Sequence, residues 1–287
     1  MQKFIKKIIL FSVFFIVLNA LYLYACIVWD WSFAKRVEAL TMESPKYENI
    51  ILGNSLAMDG MDSEVMSVHG EFTYNLSIGG ASLKTNFIQL KEYLKIAGKN
   101  PKTVILGLGS YMNDFQREEI IPVVDFTMEG NHYGLKDLPM IKFRWIVFEL
   151  IKKVIDPDHR NAKLNQGQLR IGRIVEDDTD YRNPLPLLPL KNYTDAEYLK
   201  KIAHLCRTYD IRLILIEMPG FKRTRNQTSI GPHKLSLDGD TTIDLYNLNN
   251  IHFAAILDAK RDWLGNSHLN KYGAAKFTQE MQKAIQD

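Results

Sequence analysis

Two cysteines in 287 residues, Cys26 and Cys206, are too few and too far apart for a disulfide framework. One falls in an apolar N-terminal run and the other in an amphipathic segment, so no redox compartment follows from them. The seven histidines contain no H-E-x-x-H pair or similar ligand spacing, so the sequence predicts no metal site and no cofactor. No stripe of Lys and Arg interleaved with aromatic residues runs along the chain, which argues against nucleic acid as a partner. The net charge is only +3, and Lys3, Lys6 and Lys7 supply part of it within the first seven residues. Internal repeats and long low-complexity tracts are also missing. What remains is a chain with 46% hydrophobic residues, enough for one large core or two small ones.

The most conspicuous feature present is the run IILFSVFFIVLNALYLYACIVW, residues 8–29, interrupted only by Ser12 and Asn19. A bilayer-spanning helix needs about 20 such residues, whereas the apolar region of a signal peptide needs about 7–15. The lysines precede the run and Asp30 follows it, so the positive-inside rule predicts a cytoplasmic N-terminus. Tyr22, Tyr24, Trp29 and Trp31 gather toward the far end, as an aromatic belt would. These features predict a single-pass signal anchor in the cell membrane with everything after about residue 35 extracytoplasmic. Two other readings stay open: cleavage as a long signal peptide, and a lipoprotein box at LYAC, which the bulky Tyr24 disfavours.

Residues 32–46 read as a linker or membrane-proximal helix ending in the breaker ESPK. The predicted divisions are 1–34 for stub and anchor, 35–46 for the linker and 47–287 for the folded domain. A rhythm of strands and helices then begins. YENIILGNS (47–55), FTYNLSI (72–78), TVILGLG (103–109) and IRLILIEMP (211–219) read as strands, with TTIDLYNL as a fifth. Leu83, Phe87, Leu90 and Leu94 form one helical stripe between the second and third strands. Residues 112–193 break the rhythm and read as an insertion, with an amphipathic helix at IKFRWIVFELIKKVI and an acidic, proline-rich loop at VEDDTDYRNPLPLLPL. Thr194 and Glu197 form a capping-box pattern ahead of AEYLKKIAHLCRTY, and Asn270 precedes a final amphipathic helix. Strands too continuously apolar to have a solvent face, alternating with helices, predict an α/β three-layer sandwich with a central parallel sheet.

In such sheets ligands bind beyond the carboxyl ends of the strands. Ser55 follows the first predicted strand, Gly79-Gly80 the second, GLGSYMND the third, and His268 stands just before the last helix. Singly these are turn and cap residues. Together they are the parts of an acyl-transfer site: a nucleophile, a base to take its proton, and glycine amides to stabilise an oxyanion. FKRTR (221–225), after the fourth strand, reads as a solvated basic loop or a contact for an anionic glycan.

The blocks resemble the SGNH (GDSL-like) hydrolase superfamily from about residue 47 to the end. LGNS matches the nucleophile block with Asn54 in place of the usual Asp, NLSIGG the second block, and SHLNKYGAAKF the last. The resemblance implies Ser55 as nucleophile, His268 as base, and an oxyanion hole from the Gly80 and Ser55 amides. Two departures stand out. Ser110 and Tyr111 occupy the third block where an oxyanion Asn is expected; either Asn113, two positions further on, joins the hole, or the hole has the Gly80 and Ser55 amides only. Gly265 stands three residues before His268 where the orienting acid belongs, and Asp262 lies six before; either Asp262 completes a triad or a Ser–His dyad operates. A single-helix, outward-facing domain of this kind is similar to polysaccharide O-acetylation proteins and to the D-alanyl-transfer protein of the teichoic-acid system. That likeness implies an acyltransferase acting on an envelope glycan or acyl-carrying substrate, beside a membrane-bound O-acyltransferase partner. An SGNH esterase or lipase, and a non-catalytic scaffold or glycan-binding protein, are the competing expectations.

Overall fold

A computed structural model describes residues 1–41, 47–67, 72–109, 118–127, 134–156, 162–174, 190–221, 232–238, 241–264 and 268–286. Two helices lead: α1 (Gln2–Trp29) and α2 (Trp31–Thr41). Among the described residues α1 is the one helix long and apolar enough to cross a membrane, by length and composition. Then follow β1 (Asn49–Gly53), α3 (Ser55–Gly60), α4 (Ser63–Met66), β2 (Thr73–Asn75), α5 (Leu83–Ile96) and β3 (Thr103–Leu108). Residues 118–174 carry α6 (Pro122–Thr127), α7 (Pro139–Lys142), α8 (Ile146–Ile155) and the hairpin of β4 (Lys163–Asn165) with β5 (Gln168–Arg170). The chain ends with α9 (Glu197–Thr208), β6 (Arg212–Glu217), β7 (His233–Asp238), β8 (Thr241–Asn247), α10 (Ile251–Ile256), β9 (Trp263–Leu264), β10 (His268–Leu269) and α11 (Lys271–Gln286).

Six strands form the central sheet in the order β2-β1-β3-β6-β8-β7, all parallel except β7, which pairs antiparallel with β8. Alternate residues of each strand serve opposite faces. Ile50, Leu52, Val104, Leu106, Leu213 and Leu215 join a cluster under α5 and α9. Their neighbours Ile51, Ile105, Ile214 and Ile216 join a second cluster with residues of α3, α10 and α11. Both faces are therefore covered, which is why these strands read as unbroken apolar runs. Strand order reverses between β1 and β3, so the crevice at their carboxyl ends is where a ligand is expected.

A third cluster lies to the side of this sandwich. Cys26 of α1 and Phe33 of α2 pack with Val123 and Val124 of α6, with Phe143 and Ile146, and with Ile78 and Ala81 after β2. Phe143 meets Phe33 and Phe126 edge to face, with ring centroids 4.6 and 5.2 Å apart. Most of the segment read as a linker is thus helix α2, with Phe33, Lys35, Arg36 and Ala39 buried in the domain. Arg36 forms an ion pair with Glu92 of α5.

Three local expectations change. The helix expected across residues 141–155 is two helices, α7 and α8, because Phe143 leaves helical geometry and its side chain is fully buried. Thr194 does not cap α9: residues Leu190–Asp195 form a 3-10 turn, and Ala196 is the N-cap with no side-chain bond. β7 has no counterpart in the sequence reading, since only Leu235 and Leu237 of it are buried, too short an alternation to stand out. Asn270 does cap α11, its Oδ1 accepting from the Tyr272 and Gly273 amides at 2.9 and 3.1 Å. The acidic run at 175–189 and the basic loop at 222–225 lie outside the described residues.

Candidate active site

The first strand ends on Gly53 for a steric reason. Its φ is +150°, and a Cβ there would lie 2.6 Å from both Ala57 Cβ and the Gly107 carbonyl oxygen. Gly107 is its register partner on β3, and a Cβ at that position would stand 2.7 Å from Ala57 Cβ. Two facing glycines and an alanine therefore let α3 lie directly across the ends of β1 and β3. The Gly53 amide donates to Asn86 Oδ1 of α5 at 3.1 Å, and its carbonyl accepts from Ile78 N–H at 3.3 Å. Asn54 is the N-cap of α3, its Oδ1 accepting from the Leu56 amide at 2.9 Å. Ser55 is the first helical residue, at the switch point of the sheet.

His268 reaches the same point from 213 residues away, its Nε2 standing 2.8 Å from Ser55 Oγ. It sits in the two-residue ladder of β10 with β9, opposite Leu264. Burial penalises the imidazolium and lowers the His268 pKa, so the ring is neutral near pH 7 and able to accept a proton from the hydroxyl.

The Gly-Gly turn flanks the serine on its other side. Ala81 N–H donates to the Ile78 carbonyl at 3.0 Å, and Gly80 has φ +72°, the geometry of a turn that demands glycine at its third position. A Cβ on Gly79 would lie 4.0 Å from Ser55 Cβ, so the turn is in contact range of the nucleophile. Neither the Gly80 amide nor the Ser55 amide donates to any described residue. Asn113 lies outside the described residues.

Asp262 is close but differently engaged. It immediately precedes β9, diagonal to His268 across the ladder, and its backbone oxygen accepts from the Asn270 amide at 3.0 Å. Its buried Oδ2 accepts from the Asp258 amide and from Lys276 Nζ, both at 2.7 Å. Its Oδ1 makes no hydrogen bond to any described residue. The structure thus brings Ser55, His268 and the Gly79–Gly80 turn together and ties the Asp262 carboxylate to Lys276.

Sequence reasoning passed over the groups that brace this arrangement. Lys35 of α2, 1% exposed, donates through Nζ to the Ser77 carbonyl at the foot of the Gly-Gly turn. Asp59, one helical turn beyond Ser55, is buried within coulombic reach of Lys35. Burial lowers the Lys35 pKa and raises that of Asp59, so both are pushed toward neutrality. Gln89 Nε2 of α5 donates to the Leu76 carbonyl at 2.9 Å. The only sequence signal for these was polar residues at helix positions facing an apolar neighbour, a common pattern with no chemistry attached.

Neither the family models nor the curated proteins compared with this chain contain a match to it.

Proposed function

We propose that this chain is a membrane-anchored serine acyltransferase of the SGNH type, carrying a small acyl group, acetyl or similar, to a cell-envelope glycan. The observation that carries the reading is the 2.8 Å contact between Ser55 Oγ and His268 Nε2 at the switch point of the sheet, beside a glycine turn. In the first half-reaction Ser55 Oγ attacks the carbonyl carbon of an acyl donor while His268 takes the hydroxyl proton. The oxyanion is met by the amides of Gly80 and Ser55, each such donor being worth roughly 2.7–4 kcal/mol in the transition state. Collapse breaks the donor's ester or thioester bond, and the leaving group departs with the proton from His268. In the second half His268 deprotonates a glycan hydroxyl, which attacks acyl-Ser55 and releases the serine. The Asp262 carboxylate bonds to the Asp258 amide and Lys276 rather than to His268, so it is not the group that orients the imidazole in this arrangement.

The anchor reading is supported by packing. Tyr22 OH donates to the Phe143 carbonyl at 2.7 Å, the Met140 amide donates to Asn19 Oδ1 at 3.1 Å, and Cys26 is fully buried in the lateral cluster. Cleavage behind the apolar run, or lipidation at Cys26, would strip those contacts from the folded domain. A retained span with the domain outside favours transfer over hydrolysis, because a tether holds the site at a high effective concentration of a membrane-borne donor.

The test is intact-mass labelling of the full chain in detergent with a fluorophosphonate, which captures only an activated serine. One adduct is expected, absent in Ser55→Ala and His268→Ala. An unlabelled, well-folded protein would sink the catalytic reading. The full chain is required, since a fragment starting after α1 lacks part of the lateral cluster.

A further inference from the structure

The insertion leaves a large apolar face open. On α8, Phe148, Val154 and Ile155 are 69, 72 and 71% exposed, and Val147 and Ile151 lie on the same side. Met140 and Ile141 of α7 and Trp145 between the helices are exposed as well. Residues 147, 148, 151, 154 and 155 recur at the spacing of one helical stripe, while Ile146 and Phe143 point into the lateral cluster. Water-facing helices do not present such a stripe, and single patches of this kind mark an interaction surface.

The contacts of α7 with α1 say what covers it. A helix rises 1.5 Å per residue, so a span starting at Ile8 reaches Asn19 after about 17 Å and Tyr22 after about 21 Å. The hydrocarbon core is about 30 Å thick. Met140 bonds to Asn19 and Phe143 to Tyr22, so α7 sits beside α1 at a level still within the distal half of that thickness. The exposed apolar residues of α7, beside α1, and of α8, which follows it in the chain, thus add to the apolar surface that α1 leaves open. We infer that the exposed face of α7 and α8 is buried in lipid, within the leaflet on the domain's side. This rests on the reading of α1 as a membrane anchor. Arg144 and Trp145, both exposed, supply a basic and an aromatic residue of the kind usual in helices that lie in the plane of a leaflet.

The consequence reaches the active site. Ile78 and Ala81, which bracket the Gly79–Gly80 turn, belong to the same cluster as Phe143 and Ile146. Trp31, just after the span, packs against the small cluster of Ala162, Leu169 and Ile171, as do Met58 of α3 and Leu264 opposite His268. Two membrane contacts, one spanning and one lying flat, fix both the height and the tilt of the site. Ser55 is thereby held at the membrane surface, facing substrates carried by lipids or by membrane proteins rather than diffusing ones.

The experiment places a nitroxide on single cysteines in the full chain, reconstituted into vesicles of phosphatidylglycerol and phosphatidylethanolamine. Positions are Phe148→Cys and Ile155→Cys on the face, Phe11→Cys in the N-terminal half of α1, and Lys99→Cys in the exposed turn that follows α5. The native cysteines are buried, and unsubstituted protein provides the blank. Collision with oxygen and with a water-soluble nickel chelate is read by power saturation. Labels at 148 and 155 are expected to meet oxygen and escape nickel, with the reverse at 99. Nickel reaching 148 and 155 as freely as 99, with 11 still shielded, overturns the inference and leaves the anchor standing. Shielding of 148 and 155 from both reagents means protein covers the face, which also overturns it. Nickel access at 11 removes the anchor reading itself.

Discussion

Ser55 stands at the end of a central strand paired on both sides, whereas His268 stands in a two-residue ladder outside the sheet. The serine's surroundings are held many times over: Gly53 by Asn86 and Ile78, Asn54 by its own cap, Ala57 by two facing glycines. The histidine's ladder is short, and the buried acid beside it bonds to Asp258 and Lys276. A serine at a switch point inherits the rigidity of the sheet. The histidine is carried instead by a ladder of two residue pairs outside the sheet.

Several measurements would break or sharpen this contrast. The largest effect is expected from the pair itself: Ser55→Ala removes the fluorophosphonate adduct entirely, and His268→Ala slows labelling by about 10²–10⁴-fold. Gly53→Ala comes next. It places a Cβ 2.6 Å from a backbone oxygen at a φ that side chains avoid, and should cost about 2–4 kcal/mol in denaturant melts. A melt unchanged by this substitution would mean the nucleophile's end of the contrast is not rigid.

Asn86→Ala leaves the buried Gly53 amide without its acceptor and should cost about 1–3 kcal/mol, with a lower labelling rate at Ser55. Asp262→Asn keeps an acceptor for the Asp258 amide and removes the charge beside Lys276. Because the carboxylate does not bond to His268, the labelling rate should fall by less than about tenfold, against the roughly 10⁴ of a true triad acid. A 10⁴ loss would show that Asp262 turns to the histidine during reaction.

The smallest effect is one of pH. His268 must be neutral to act, and protonation on the acid side removes it. Its burial lowers the pKa, so the acid limb of the labelling rate should have its midpoint below the ordinary histidine value of about 6.5. A midpoint at or above that value would mean the ring is solvated or paired with an anion.

Much of this was legible in the chain. Ile50–Leu52, Val104–Leu106 and Leu213–Ile216 announced buried parallel strands because both of their faces are covered. Glycine at 53 and 80 marked the points where backbone had to bend or crowd. β7 escaped notice because an edge strand buries one side only, and the burial of α2 did because its lysine and arginine look like surface residues in a linear reading. Lys35 and Asp59 acquire their character from what surrounds them, and nothing in SFAKR or LAMDG expresses that.

By itself the sequence determined the strands, the long apolar helix and the places where chemistry-bearing residues fall relative to strand ends, since these follow from local period and steric freedom. Only the tertiary structure decided that Ser55 and His268 meet, that Asp262 turns to Lys276, and that α1 joins the domain's side. Those outcomes depend on which distant surfaces close on one another, and a linear pattern carries no such distance.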